Sequence, residues 1–225
     1  MTGLILAVTG LKREAGLLAG EGVRTIVSGG DVDALSQRLD QALSGRPIKA
    51  IISIGLGGAL SPKLAVGDWV LATSIIARAV NLPTDQAWTA RLNSDLRSDS
   101  RRTVHLGPIA GVDHMVVDGA AKAALHADTK ALAVDMESHV AAAFAQRHGL
   151  PFAALRVISD GADRALPAAA QAGMKKDGGM NIPAVLWSLA KHPRQLPALI
   201  RTGREAETAF KALLDVHDLL GRTRV

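Results

Sequence analysis

Short apolar runs rich in β-branched residues alternate with helix-like segments along most of the chain, and this alternation limits the possible folds more than any other feature. Strand-like runs occur at Leu4–Val8, Val23–Val27, Lys49–Ile54, Asp68–Ile76, Pro108–Val112, Ala131–Val134 and Phe152–Ser159. Amphipathic helical spacing occurs between them, at Asp33–Leu43, Asp118–His126 and Glu137–His148. Uncharged strands are typical of a sheet covered on both faces. The pattern therefore predicts an α/β fold with three α/β/α layers and a central mixed, largely parallel sheet.

The regular alternation ends near residue 161, after which prolines divide the chain into short helical segments that finish with Glu205–Leu220. We interpret residues 1–225 as a single domain in which residues 161–225 form a helical C-terminal appendage. One earlier segment, Ala77–Arg102, is polar and irregular, and we expect it to be a loop or an insertion.

Composition argues against several classes of function. The chain has no cysteine, which excludes disulfides, thiolate zinc sites and a cysteine nucleophile, and its histidines lack zinc-ligand spacing, so we expect no metal. The net charge of +5 comes from scattered Lys and Arg, and aromatic residues are only 3% of the chain, so nucleic-acid binding is not expected. The amino terminus lacks a signal-peptide pattern, and no apolar run reaches the roughly 20 residues of a membrane span, which predicts a cytoplasmic protein.

Glycines follow three of the predicted strands, at Gly10, at Gly29–Gly30 and in the segment Gly55–Leu60. Strand ends in α/β sheets are where ligands bind. The segment "GLGGAL" is not a dinucleotide fingerprint, because Leu60 stands where the last glycine should be and Pro62 follows closely. Two interpretations remain: a tight turn that needs positive φ, or a backbone surface that faces a sugar, a water molecule or phosphate.

Acidic residues also stand at the borders of apolar segments. In "ALAVDMESHV", Asp135 and Glu137 lie between a predicted strand and a predicted helix, and in "LRVISDGAD" Asp160 ends a strand. Each of these acids could cap the N-terminus of a helix or compensate the helix dipole there, and Asp135 fits the capping role. Glu14, in "LKREA", could equally be a solvated charge.

These segments together resemble the nucleoside phosphorylase and nucleosidase superfamily, and in particular its methylthioadenosine/S-adenosylhomocysteine nucleosidase branch. The resemblance rests on "AVDMES", on "VISD", on "GLGGALSPKLAVGDWV" and on "LILAVTGLKREAGLL", which are collinear over most of Leu4–Asp163. The tail "LAKHPRQLPALIRTGREAETAFKALL" resembles the hopanoid-associated phosphorylase family, whose members are thought to remove adenine from adenosylhopane. The resemblance implies an enzyme that cleaves the N-glycosidic bond of a 5′-substituted adenosine, and a homo-oligomer.

The resemblance also implies roles for individual residues. Asp160, kept protonated by burial, would donate a proton to purine N7, and Glu14 would activate the attacking water. Glu137 would accept hydrogen bonds from the ribose hydroxyls while Met136 packs against the ribose.

The base pocket and the nucleophile site complete the implied site. Met115, Val116 and Ser159 would contact the base. Gly30, Gly57 and Arg13 would contact the nucleophile, with Arg13 or its neighbour Lys12 meeting phosphate if phosphate is the co-substrate. No other cofactor is expected.

Two positions depart from the family pattern. Leu56 stands where the family usually has a hydroxyl residue, and Met115 stands where the nucleosidases have an aromatic residue. These departures leave two alternatives open: a conventional methylthioadenosine/S-adenosylhomocysteine nucleosidase, and a non-catalytic nucleoside-binding protein. We interpret His114 as a packed or solvent-facing residue rather than a pocket group.

The tail leaves a further choice open. Trp187, Leu189, Leu196, Leu199 and Ile200 alternate with basic residues, which is consistent with ordinary packing of an amphipathic helix or with peripheral membrane contact. The expected ligand is therefore a small-molecule or a lipid-linked nucleoside.

Overall fold

The computed structural model describes residues 3–99, 102–173, 175 and 177–222. The strands are β1 (Leu4–Thr9), β2 (Val23–Val27), β3 (Ile48–Ala59), β4 (Trp69–Ala77), β5 (Val80–Pro83), β6 (Val104–Gly111), β7 (Ala133–Asp135) and β8 (Phe152–Asp160). The helices are α1 (Lys12–Leu18), α2 (Val32–Ala42), α3 (Gln86–Asp99), α4 (Gly119–Thr129), α5 (Ser138–Arg147), α6 (Ala168–Ala172), α7 (Ile182–Lys191) and α8 (Leu196–Arg222), with a 3₁₀ turn at Pro193–Gln195.

The strands form one mixed sheet in the order β2-β1-β3-β7-β6-β4-β5. Strand β8 pairs with β3 in parallel and with β4 in antiparallel orientation, so the pairings β3-β8-β4-β6-β7 return to β3. Most of the pairings are parallel, and helices flank the sheet. The predicted α/β fold with a central mixed, largely parallel sheet is confirmed, and the closed circuit of pairings is an addition that the sequence did not predict.

All of the glycine-rich segment except Leu60 lies inside β3, which corrects the interpretation of "GLGGAL" as a tight turn. A Cβ on Gly57 would lie 3.1 Å from the carbonyl oxygen of Val134 and 3.2 Å from Cβ of Arg156. Glycine is therefore needed here for close strand approach, not for positive φ. Positive φ occurs instead at Gly29 and Gly30, where φ is 67° and 73°.

The segment Ala77–Arg102 is not an irregular loop or insertion, because it contains β5 and most of it forms α3. Trp88 and Leu96 are fully buried, and Leu92 is nearly so. The polar side chains of α3 concealed this apolar stripe in the sequence. Residues 100 and 101 of that segment lie outside the described residues.

Two hydrophobic clusters cover the two faces of the sheet. Along β1, Leu6 and Val8 belong to one cluster with residues of α2 and α5, and Ile5 and Ala7 belong to the other with residues of α3 and α8. This alternation follows from the period of two along a strand. Helix α8 adds Ala209, Ala212, Leu213 and Val216 to the second cluster.

Helix α7 differs from α8, because none of its residues is buried. Trp187 is 65% exposed and Leu186 is 61% exposed. Among the described residues, none of the helices combines the length and the hydrophobicity needed to cross a bilayer.

Candidate functional site

A cavity of about 240 Å³ opens at the carboxyl ends of β1, β3, β6, β7 and β8. This is the edge of an α/β sheet where ligands usually bind. Nine residues predicted for the site line it: Glu14, Gly30, Gly57, Met115, Val116, Met136, Glu137, Ser159 and Asp160. The fold therefore gathers three acidic side chains from α1, from the start of α5 and from the end of β8.

Glu14 is 2% exposed, so its interpretation as a solvated surface charge is wrong. Its Oε2 accepts hydrogen bonds from the backbone N–H groups of Gly10 and Leu11, and its Oε1 accepts one from Leu56, each at 2.8 Å. Burial raises the pKa of Glu14, while the three N–H donors oppose that rise. The carboxyl is therefore held in one orientation, and Leu56 contributes its backbone N–H where it lacks a hydroxyl.

Glu137 is also buried, and Ser28 Oγ donates to its Oε1 at 2.8 Å. Burial raises the pKa of Glu137 to about 7, against the opposing effect of the nearby Arg156 guanidinium. The N–H of Gly30 donates to Ser28 Oγ at 3.0 Å. Gly30 thus supports the Glu137 site through Ser28, and its N–H is already engaged instead of being directed at a nucleophile.

The two acids of "AVDMES" have different roles at the start of α5. The backbone N–H of Ser138 donates to Oδ1 of Asp135 at 3.1 Å, whereas the Glu137 side chain makes no capping bond. Asp135 therefore accepts an N–H of the first turn of α5, as a capping residue does, although the N-cap position itself is occupied by Glu137. Glu137 is consequently available to the cavity.

Arg156 is a site residue that the sequence reasoning missed. Its side chain is fully buried, and its guanidinium lies 2.5 Å from Asp135 Oδ2 and 3.6 Å from Glu137 Oε2. It also donates to Ser53 Oγ at 2.7 Å. A buried cation offsets the mutual repulsion of two buried carboxylates. The available signal was a single arginine within the otherwise uncharged run "FAALRVIS".

Lys122 is the second missed residue. It lies on α4, its side chain is 1% exposed, and its Nζ donates to Asp160 Oδ2. Ser159 Oγ lies 2.7 Å from the other carboxyl oxygen of Asp160. The Asp160 carboxyl is therefore buried, as expected, and it is also paired with a buried ammonium group, which the sequence did not predict. In sequence, the lysine of "GAAKAAL" is indistinguishable from a solvated helix residue.

The remaining walls of the cavity are mainly apolar. Met115, Val116 and Leu56 line it, and Met136 Cε lies 3.3 Å from the Cβ position of Gly30. Residues of α6 and α8 also line it, namely Ala170, Gln171, Thr202 and Ala206. His114 is exposed and is not among the lining residues, which confirms its interpretation as solvent-facing.

Arg13 lies outside the cavity, contrary to the prediction. Its guanidinium pairs with Glu207 of α8 at 2.8 Å and stacks 4.0 Å from the ring centroid of Phe210. Its neighbour Lys12 pairs with Asp177 at 2.6 Å, with both side chains more than half exposed. The physical reason is that α1 is a helix, so Glu14 faces the sheet while Lys12 and Arg13 face α8 and solvent.

Within the described part of the chain, no group of three or more acidic or histidine side chains is arranged to hold a metal ion. The candidate site is thus a set of buried acids, two buried basic partners and apolar walls. Such a site can hold a polar group at the acids and an apolar body against the walls.

A model of the Phosphorylase superfamily matches residues 9–190. The chain belongs to the phosphorylase superfamily. The match includes Glu14, Lys122, Glu137, Arg156 and Asp160, and it confirms the resemblance to the nucleoside phosphorylases and nucleosidases at the level of the superfamily. A search of the curated proteins found no significant match.

Solved structures with the same fold include 5′-methylthioadenosine/S-adenosylhomocysteine nucleosidases. The Neisseria meningitidis nucleosidase in complex with methylthio-immucillin-A is 16% identical, with a TM-score of 0.67 over 96% of this chain and 99% of that one. A Helicobacter pylori nucleosidase mutant with 5′-methylthioadenosine in its active site is 18% identical, with a TM-score of 0.66 over 97% and 100%. Futalosine hydrolase of Helicobacter pylori is 18% identical, with a TM-score of 0.64 over 85% and 98%. At these identities the likeness shows a shared fold.

Proposed function

We propose that this phosphorylase-superfamily protein cleaves the N-glycosidic bond of a 5′-substituted adenosine and releases adenine. The observation that carries the proposal is the convergence of Glu14, Glu137 and Asp160, all buried, on one cavity. The known structures add support, because proteins of this fold include nucleosidases with nucleoside analogues or 5′-methylthioadenosine bound.

Cleavage of the N-glycosidic bond requires a proton donor at the purine and stabilisation of positive charge at the ribose. As the C1′–N9 bond breaks, its electron pair moves to the purine, which leaves as neutral adenine only if a ring nitrogen gains a proton. Asp160 is the proposed donor to N7. The ribose gains positive charge, and the ionised Glu137 stabilises it while accepting hydrogen bonds from the 2′- and 3′-hydroxyls.

We infer that water rather than phosphate is the nucleophile. Among the described residues that line the cavity there is no lysine or arginine, and Arg13 is engaged with Glu207. A phosphate site usually offers cationic groups or free N–H groups. The Glu14 carboxyl is buried and its pKa is raised, which makes it a stronger general base towards water. The proposed activity is therefore a hydrolysis.

A lipid-linked 5′ substituent, as in adenosylhopane, is the finer proposal. It is supported by the mainly apolar cavity walls and by the exposed apolar side chains near them in sequence: Ile182, Leu186, Trp187, Leu196 and Ile200. Lys191 Nζ lies 5.0 Å from the Trp187 ring centroid, so a positive charge lies next to these exposed apolar side chains. We propose that α7 and the start of α8 contact an anionic membrane surface. We also propose that the reaction is a step of hopanoid biosynthesis.

The activity is tested by chromatographic detection of adenine from 5′-methylthioadenosine, S-adenosylhomocysteine and adenosylhopane, with and without phosphate. We expect release that is indifferent to phosphate, with the highest kcat/KM for adenosylhopane. Preference for the two small substrates would instead identify a conventional nucleosidase. The Asp160→Asn variant should lower turnover by about 10²–10⁴-fold, because an amide cannot donate an acidic proton. Nucleoside binding without release from any substrate would identify a non-catalytic binding protein and overturn the proposal.

The membrane contact is tested by sedimentation with anionic vesicles. The double variant Leu186→Ser/Trp187→Ser should remain in the supernatant, whereas Leu106→Ser, a control at an exposed apolar residue of β6, should sediment like the parent protein. Light scattering in the same samples measures the proposed homo-oligomer. A change in oligomeric state without a change in sedimentation would make this surface a subunit interface and reject the membrane contact.

A further inference from the structure

Lys122 occupies a position that the helix itself does not explain. It lies in the first turn of α4, where Asp118 Oδ1 accepts the N–H of Ala121 at 2.7 Å as the helix cap. A cation near a helix N-terminus is unfavourable with respect to the helix dipole, and a buried unpaired ammonium is strongly destabilising. The burial of Lys122 is therefore explained by its partners, Asp160 Oδ2 and the carbonyl oxygen of Gly161 at 2.9 Å.

The ion pair with Lys122 leaves the Asp160 carboxyl little freedom to change its orientation. One oxygen is bonded to Lys122, and the other is 2.7 Å from Ser159 Oγ. A Cβ on Gly58 would lie 3.3 Å from Asp160 Oδ2, so the backbone of β3 closes a third side. The orientation of the acid is thus set by residues from β3, β8 and α4.

Other charges near Asp160 are already paired with one another. Arg164, Arg201 and Glu205 share a neighbouring cavity with Asp160. Glu205 lies 3.7 Å from Arg164 and 2.9 Å from Arg201, and these partners belong to the loop after β8 and to α8. Within the described residues, Lys122 is accordingly the cation bonded to Asp160.

We propose that Lys122 positions Asp160 and supplies the proton that Asp160 passes to the departing purine; this rests on the proposed function. Before reaction the pair consists of an ammonium and a carboxylate. As the C1′–N9 bond breaks and its electron pair stays with the purine, the Asp160 carboxylate takes a proton from Lys122, and the carboxylic acid so formed donates one proton to N7. Lys122 is left as a neutral amine, and Asp160 is again a carboxylate. The amine that remains regains its proton from solvent after adenine leaves. Lys122 is a positioning residue because it acts through Asp160 without touching the substrate.

Turnover and its pH profile test this proposal. Lys122→Met should lower kcat by about 100-fold or more with KM changed by less than about threefold, and should shift the pH profile of kcat. Lys122→Arg keeps a positive charge that is not released, so it should remain as slow as Lys122→Met. Lys63→Met, at an exposed lysine, is the control and should match the parent protein. Full turnover in Lys122→Met would overturn the positioning role, and full turnover in Lys122→Arg would overturn the supply of the proton.

A second measurement is independent of turnover and of the identity of the substrate. Difference infrared spectra between the parent protein and Asp160→Asn isolate the carboxyl stretching bands of Asp160 in the ligand-free protein. Loss of the hydrogen bond from Lys122 in Lys122→Met should change the frequency of those bands. Unchanged bands would overturn the proposal, whereas a missing adenine release in the parent protein would overturn only the proposed function.

The single lysine variant leaves a buried carboxylate without its cation, so its folding is checked by a second variant. Lys122→Met/Asp160→Asn removes both charges together. Because Lys122 acts through Asp160, this double variant should turn over at the same rate as Asp160→Asn alone. A further loss of at least tenfold would show that Lys122 acts on its own and would overturn the proposal.

Discussion

The carboxyl group of Glu14 fills the space that a side chain at Gly55 would need: a Cβ on Gly55 would lie 2.8 Å from the carboxyl carbon and from both oxygens. Three backbone N–H groups hold that carboxyl in place. The absence of a side chain at Gly55 is therefore a condition for the observed position of the proposed general base.

Replacing this glycine should displace the acid. In Gly55→Ala the Glu14 carboxyl must shift relative to its three N–H donors, and we expect kcat for adenine release to fall by about 100-fold, as misplaced catalytic groups do. The control is Gly16→Ala in α1, where an added Cβ meets nothing within 4 Å and alanine favours the helix. Adenine release near the parent rate in Gly55→Ala would remove Glu14 from the proposed mechanism.

Glu137 should make the stability of the protein pH-dependent. Its pKa is raised from 4.5 to about 7, chiefly by burial, so between these values the folded chain binds more protons than the unfolded chain. The free energy of unfolding should therefore fall as pH rises through this window, and Glu137→Gln should flatten that fall. Urea unfolding of both proteins at several pH values checks the prediction. Parallel curves for the two proteins would contradict it.

Arg156 should be costly to remove. In Arg156→Met, Asp135 and Glu137 lose the buried cation that lies 2.5 Å and 3.6 Å from them. We expect a loss of roughly 3–5 kcal/mol in the free energy of unfolding, measured with urea. Arg201→Met removes an exposed partner of Glu205 and should cost only about 0–1 kcal/mol. An equal loss in the free energy of unfolding for the two variants would show that the buried ion pairs of Arg156 stabilise the fold no more than an exposed ion pair does.

Arg13 should be dispensable for turnover. It pairs with Glu207 and stacks on Phe210 outside the cavity. We expect Arg13→Ala to keep the rate of adenine release within a factor of about two, with and without phosphate, because a surface ion pair contributes little to the fold. A phosphate-dependent loss of rate would return Arg13 to the nucleophile site and favour a phosphorylase.

Periodicity was sufficient to predict much of the sheet, but not its closure. Strand β2 was predicted with its observed bounds, and β8 to within one residue. Strand β3 continues beyond the prediction to Ala59, because Gly57 and Gly58 have no side chains to obstruct β7 and β8. Glycine has a low propensity for strands, so pairing with distant strands, and not local propensity, determines where β3 ends.

The sequence by itself determined the alternation of strands and helices and the acids at the ends of β7 and β8, because both are encoded within short segments. Only the tertiary structure decided that Lys122 meets Asp160, 38 residues away, and that Arg156 meets Asp135. These contacts depend on which elements become neighbours after folding. The cost of burying a charge is offset by a partner in space, and no pattern along the chain specifies that partner.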